Sequence, residues 1–137
     1  MNRQVVPLLF APVLGVCAMI APVLVHRPQH WYEAPLFPVV RNAVEHVGLP
    51  ALGFLVVVGL LLGAVSQLQP LKLGAAAILF LPLAAIAEIV ADPTSHNLWP
   101  LEFVIYGLYG CLVAGGAALS HQVRRWLPRA SDVTHGA

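Results

Sequence analysis

Charged residues are scarce in this sequence: Asp, Glu, Lys and Arg together make up 9% of its 137 residues. A soluble domain normally has about 25% charged residues, which help to cover its water-facing surface. With 59% apolar residues, a chain this short has too few polar side chains to cover a soluble core. The composition therefore argues against an ordinary water-soluble domain and favours a polytopic membrane protein.

Motifs for several kinds of chemistry are also missing. The sequence contains no CxxC pair, no phosphate-binding glycine loop, no HExxH or GxSxG motif and no C-terminal lipidation box. Its two cysteines, Cys17 and Cys111, fall near the middle of apolar runs, where we interpret them as small apolar fillers. Because no histidine lies deep in such a run, a haem held between helices is disfavoured, and we predict no cofactor.

Four apolar runs are each about 20 residues long, at 5–25, 49–68, 73–91 and 101–120. A helix of that length rises roughly 30 Å, the thickness of the hydrocarbon core. Membrane strands alternate polar and apolar residues, which these runs do not. The first run is also longer than the roughly 7–15 apolar residues of a cleaved signal peptide. We therefore predict an all-α integral membrane protein, a four-transmembrane-helix bundle forming a single membrane domain over residues 1–137.

Basic residues are distributed unevenly around the four runs. With four spans both ends lie on one side, which then receives Arg3, Lys72, Arg124, Arg125 and Arg129. Arg27 and Arg41 fall on the other side. Because basic residues favour the cytoplasmic face, we predict a bacterial-type inner (plasma) membrane protein with both termini in the cytoplasm.

The segment 36–47, in the first outer loop, has the pattern of a short amphipathic helix. Its apolar stripe recurs at spacings of four and three and consists of Leu36, Val40, Val44 and Val47. Arg41 and Glu45 form an i,i+4 pair, and Gly48 is suited to ending the helix. The alternative is that the segment is the top of the second span, kinked at Pro50.

Small residues recur along the predicted spans. The second span contains a GxxxG motif, Gly59 and Gly63, and the fourth carries a row formed by Gly107, Gly110, Ala114 and Ala118. Such rows let helix backbones approach closely in lipid. The sequence leaves open whether they pack within one chain or between chains. The short turn QLQPLKL predicts that the second and third spans are neighbours, and Pro82 is expected to bend the third.

Acidic residues and a histidine surround the stretch ADPTSHNLWPLE, residues 91–102, between the third and fourth runs. Glu88 and Glu102 each lie inside an apolar run, roughly 5 Å below the outer surface. Two carboxylates at that depth resist being charged together unless a cation lies beside them. We therefore expect a shared pocket that includes at least one of His96, Tyr106, Arg27 or Arg41. The candidate site consists of Glu88, Asp92, His96, Glu102 and Tyr106; the alternative interpretation is an interfacial anchor.

Three functional hypotheses follow. The rows of small residues and the missing motifs favour an accessory, assembly or structural subunit of a larger membrane complex. Its partners would be the lipid bilayer and other membrane chains or further copies of itself, with no nucleic acid. The alternative is a small oligomeric ion- or solute-handling protein that uses a Glu88/Glu102 pocket. The second alternative is a membrane-embedded enzyme or metal-handling protein with a histidine and carboxylate site, although no residue spacing matches a known catalytic pattern.

Overall fold

A computed structural model describes residues 5–26, 36–92 and 99–126, and the regular structure in these ranges is entirely α-helical. The helices are α1 (Val5–His26), α2 (Pro38–Glu45), α3 (Leu49–Val65), α4 (Pro70–Ile78), α5 (Phe80–Ala91) and α6 (Trp99–Trp126). Three stretches are long and apolar enough to cross a membrane: Val5–Val25, Pro70–Ala91 and Pro100–Trp126. The count becomes four if α2 and α3 together form one bent span.

Several helix boundaries differ from the predicted runs. The second predicted run, 49–68, corresponds to α3, which ends at Val65. The third predicted run, 73–91, starts earlier than expected, because α4 begins at Pro70 and proline suits a first helical turn. The third run is interrupted at Leu79, whose N–H donates to the Ala76 carbonyl oxygen at 3.3 Å. Pro82 explains this break, because it has no N–H to donate to the carbonyl four residues earlier. The fourth predicted run, 101–120, corresponds to α6, which continues past residue 120 to Trp126.

The helix predicted within residues 36–47 is present as α2, separate from α3 and turned from it by 104°. Its buried residue is Ala43, whereas Leu36 of the predicted stripe is exposed. The prediction that Gly48 ends this helix is wrong. The α2 helix stops at Glu45 with His46 as its cap, and Gly48 has an extended backbone that leads into α3.

The long helices form a ring in the order α1, α3, α6 and α4, with α3 and α4 placed diagonally. The expectation that the second and third spans are close neighbours is therefore wrong, since both pack mainly on α6. Small residues explain this preference. A methyl group at Gly59 would overlap the Val113 carbonyl, and one at Gly74 would overlap the Gly110 carbonyl. These backbone contacts draw both helices onto α6.

The predicted row of small residues on α6 is divided between two faces. Gly110 is buried against α4, whereas Gly107 and Ala118 are exposed. The interpretation of the cysteines as apolar fillers is also wrong, because Cys17 and Cys111 are both exposed on the bundle surface. On α6 the buried face is formed instead by Tyr106, Tyr109, Val113 and Ala117.

Candidate functional site

A cavity of ≈ 30 Å³ lies between α2, α5 and α6, at the end of the bundle where α5 ends and α6 begins. We call it the Glu88 cavity. That volume is enough for one or two water molecules. Apolar side chains cover part of its wall, and its polar lining consists of Arg41, Glu45, Glu88, Glu102 and Tyr106.

Glu88 is the most deeply buried acidic residue that the structure describes, with 4% of its surface exposed. It lies in the last turn of α5, and its carboxylate contacts α2 and the residue that precedes α2. The Phe37 backbone N–H donates to Oε1 at 3.3 Å, and Arg41 Nη1 lies 3.6 Å from Oε2. Because a buried carboxylate is costly without partners, these contacts tie the position of α2 to α5.

Arg41 is the cation of the cavity. Its Nε donates to Glu45 Oε1 at 2.9 Å, which is the i,i+4 pair expected from the sequence. Burial lowers the pKa of Arg41, but the carboxylates of Glu45, Glu88 and Glu102 outweigh this effect and raise the pKa overall. The guanidinium therefore stays charged and offsets part of the negative charge of the three acids.

Glu102 and Tyr106 line the cavity from α6. Glu102 lies in the first turn of that helix, where the partial positive charge of the helix end stabilises a carboxylate. Tyr106 is one turn further along, with 6% of its surface exposed, and its ring packs against Phe103 with 6.0 Å between centroids. The two residues give the wall a polar strip that runs from the end of the bundle inward.

The structure thus brings together Glu88, Glu102, Tyr106 and Arg41. Asp92 ends α5, where its N–H donates to the Glu88 carbonyl at 2.8 Å, and it is not among the described residues that line the cavity. The other two residues named from the sequence, His96 and Arg27, lie outside the described residues.

Two contributors were not predicted from the sequence. Glu45 could have been found from its i,i+4 relation to Arg41, since a residue paired with a cavity cation is itself near the cavity. Phe37 contributes a backbone N–H, and every residue except proline has one. No side-chain pattern therefore identifies it.

Within the described part of the chain, three carboxylates face one guanidinium and a tyrosine in the cavity, groups suited to protons, water and small cations. Among the described residues, no group of three or more His, Cys, Asp or Glu side chains is placed to hold a metal ion. The volume is too small for an organic solute, which normally occupies a pocket of roughly 300 Å³ or more.

A second group of polar residues lies at the opposite end of the bundle, where α3 ends. Ser66 and Ser120 are buried there, and His121 Nε2 lies 3.1 Å from the Ser66 carbonyl oxygen. The Ser66 hydroxyl has no hydrogen-bond partner within the part of the chain that the structure describes.

Comparison of the chain with protein-family models, with curated proteins and with solved structures finds no match. The functions proposed below therefore rest on the residues and their geometry.

Proposed function

We propose that this protein crosses a membrane four times and serves as an accessory, assembly or structural subunit of a larger membrane complex. The proposed crossings are α1, α3, α4 with α5, and α6, and α2 lies at the outer surface. The α3 helix has 17 residues, and its length of roughly 26 Å comes close to the thickness of the hydrocarbon core. The 104° turn between α2 and α3 supports the placement of α2 along the surface.

The proposed orientation has both ends in the cytoplasm of a cell with a bacterial-type plasma membrane. Lys72, Arg124 and Arg125 are exposed where α4 begins and α6 ends. The Glu88 cavity lies at the other end, and its described lining contains three acids and one arginine. A basic end and an acidic end of this kind support the orientation expected from the positive-inside rule.

The observation that carries the proposed subunit role is a row of small residues on the outward face of α6. Gly107, Cys111 and Gly115 are spaced four residues apart and exposed, and a methyl group at either glycine would meet nothing within 4 Å. Rows of small residues mark helix interfaces in membranes. The inward glycines of this chain illustrate the rule, because the backbone of a neighbouring helix lies against Gly59, Gly74 and Gly116. We propose that the outward row receives a helix of another chain or of a second copy.

The test is the purification of complexes in mild detergent from cells that express Gly107→Leu or Gly115→Leu. Either substitution has room within the chain, so the fold should persist while the groove for a partner helix is filled. We expect the wild-type protein to retain partner chains in fixed stoichiometry and both variants to lose them. Gly53→Leu is the matched control, because Gly53 is also exposed with nothing within 4 Å of an added methyl group. Equal loss in all three variants, or a wild-type protein that purifies as a monomer, would contradict the proposal.

A second candidate function is the handling of a proton or a small cation in the Glu88 cavity. The observation that favours it is the concentration of Glu45, Glu88 and Glu102 around a water-sized space. Ion or proton flux into liposomes containing the purified protein tests this function. If the cavity conducts or exchanges ions, Glu88→Gln and Glu102→Gln should each abolish the flux while the protein remains folded. Wild-type flux in both variants would leave the two acids as interfacial anchors.

A further inference from the structure

The α2 helix packs on the bundle chiefly against α1, and its Val40 and Val44 are half-buried against the core. It has eight residues, too few to be stable as an isolated helix, and its one fully buried residue is Ala43. Residues 46–48 join it to α3 without regular helical structure, with Gly48 in an extended conformation. The position of α2 therefore depends on the contacts that it makes with α1, α5 and the side chains around the Glu88 cavity.

Glu88 makes two of those contacts. Its carboxylate accepts the Phe37 N–H and lies within ion-pair distance of Arg41, so one buried group holds both the residue before α2 and the end of its first turn. The Phe37 ring also packs edge-on against Phe80, with 5.7 Å between centroids. By contrast, Glu45 pairs with Arg41 inside α2 itself, an interaction that moves with the helix and does not anchor it.

One side of the cavity wall is formed by α2 and Phe37, and the other side is formed by the bundle. The α2 side contributes Phe37, Val40, Arg41, Val44 and Glu45, and α5 and α6 contribute the rest. On the bundle side, Ala84 and Ala85 are only 5% and 4% exposed. Movement of α2 about residues 46–48 would uncover these side chains and open the cavity at the end of the bundle.

We infer that α2 is a lid on the Glu88 cavity, held closed by the negative charge of Glu88. Loss of that charge removes the ion pair with Arg41 and weakens the bond from Phe37, since hydrogen bonds to a charged acceptor are stronger than those to a neutral one. The lid then samples an open position more often. The motion of the lid involves this chain alone and requires neither a partner on α6 nor an ion in the cavity.

Thiol accessibility in the full-length protein tests the lid. Cysteine is placed in the cavity wall by Ala85→Cys, in a background where Cys17→Ala and Cys111→Ala remove the native thiols. A neutral methanethiosulfonate reagent is used, so that its approach does not depend on the charge of the cavity. We expect Glu88→Gln to raise the rate of modification about threefold to tenfold, the effect of losing the ion pair with Arg41 and weakening the bond from Phe37. Glutamine keeps an oxygen that can accept from Phe37, and the change therefore isolates the charge.

Glu45→Gln is the matched control, because it removes a carboxylate from the same cavity without removing an anchor of α2. We expect it to change the rate less than about twofold, within the spread of weak exposed ion pairs. A rate raised equally by both variants would show that charge alone affects the thiol, and would overturn the lid. An unchanged rate in a folded Glu88→Gln variant would overturn it as well.

Two further variants keep the test decisive. Ala18→Cys places a thiol at a buried position of α1 that does not line the cavity, and it should remain unreactive if the bundle is intact. Arg41→Gln, which also serves if Glu88→Gln fails to fold, removes the same ion pair from the α2 side. Because it removes a positive charge, it disfavours the thiolate that reacts, and a raised rate in this variant comes from opening of the cavity rather than from charge. We expect the Arg41 variant to raise the rate at residue 85, and no change in that variant would contradict the lid.

Discussion

Ser66 and Glu88 show how differently a polar side chain can be buried in this bundle. The Glu88 carboxylate has contacts from α2 at 3.3 and 3.6 Å. The Ser66 hydroxyl is equally buried but has no hydrogen-bond partner among the described residues, although its backbone carbonyl lies beside His121. An unsatisfied buried hydroxyl costs about 1–3 kcal/mol. Ser66 is therefore a place where a polar group weakens the fold.

We predict that Ser66→Ala raises the free energy of unfolding by up to about 1 kcal/mol, because it removes the unsatisfied hydroxyl and keeps the backbone. Thermal or denaturant unfolding in detergent measures the change. Ser120→Ala, at a buried serine in α6, is the control and should not raise stability. A loss of stability in the Ser66 variant would mean that its hydroxyl has a partner that the described residues do not supply.

At this scale, the sequence predicts the acids of the cavity better than the groups around them. Glu88 and Glu102 could be singled out because each interrupts an apolar run near its end, and Tyr106 follows Glu102 at helical spacing. The contact between Phe37 and Glu88 spans 51 positions in the chain. It depends on where α2 folds back, which helical periodicity does not encode.

Glycines in α3 allow it to pack closely against α6. The α3 helix lies against α6 at Gly59 and Gly63, where an added methyl group would meet the backbone near Val113 and Ala117. Main-chain atoms cannot move aside as a flexible side chain can, so substitution there forces the helices apart.

We predict that Gly59→Ala lowers the free energy of unfolding by about 1–3 kcal/mol. Gly53→Ala, on the exposed face of the same helix, is the matched control. Because nothing lies within 4 Å of its added methyl group, it should be neutral or stabilising by up to about 1 kcal/mol, the difference in helix propensity. Equal effects of the two substitutions, measured by thermal unfolding, would contradict the close contact between α3 and α6.

The sequence predicts that these segments are helices and roughly where they lie. It does not predict where each helix begins and ends, or which helices pack against each other. Apolar runs show where the long helices lie because a helix that crosses a membrane needs about 20 apolar residues in succession. The break at Leu79 results from Pro82, whose effect falls on the turn before it. The diagonal placement of α3 and α4 depends on which face of α6 receives their glycines. A short connecting turn does not determine that choice.

For the molecule as a whole, four crossings require residues 95 and 131 to lie on opposite sides of the membrane. We predict that Ser95→Cys, in a background without native cysteines, reacts with an impermeant thiol reagent added outside cells, and that Ser131→Cys reacts only after the membrane is opened. This result follows from the basic residues at the ends of α4 and α6. The reverse pattern would overturn the orientation, and labelling of both from outside would overturn the count of four.

The central proposal is that the outward face of α6 binds another membrane helix, and the native Cys111 on that face allows a direct measurement. In Cys17→Ala protein, Cys111 is labelled in membranes with a benzophenone maleimide and irradiated. The matched control is Cys111→Ala protein labelled at Cys17, which is exposed on α1. We predict one discrete protein adduct from Cys111, of twice the chain mass for a second copy or another fixed mass for a different subunit, and no such adduct from Cys17. Lipid adducts alone from Cys111, or the same adducts from both cysteines, would contradict the proposal.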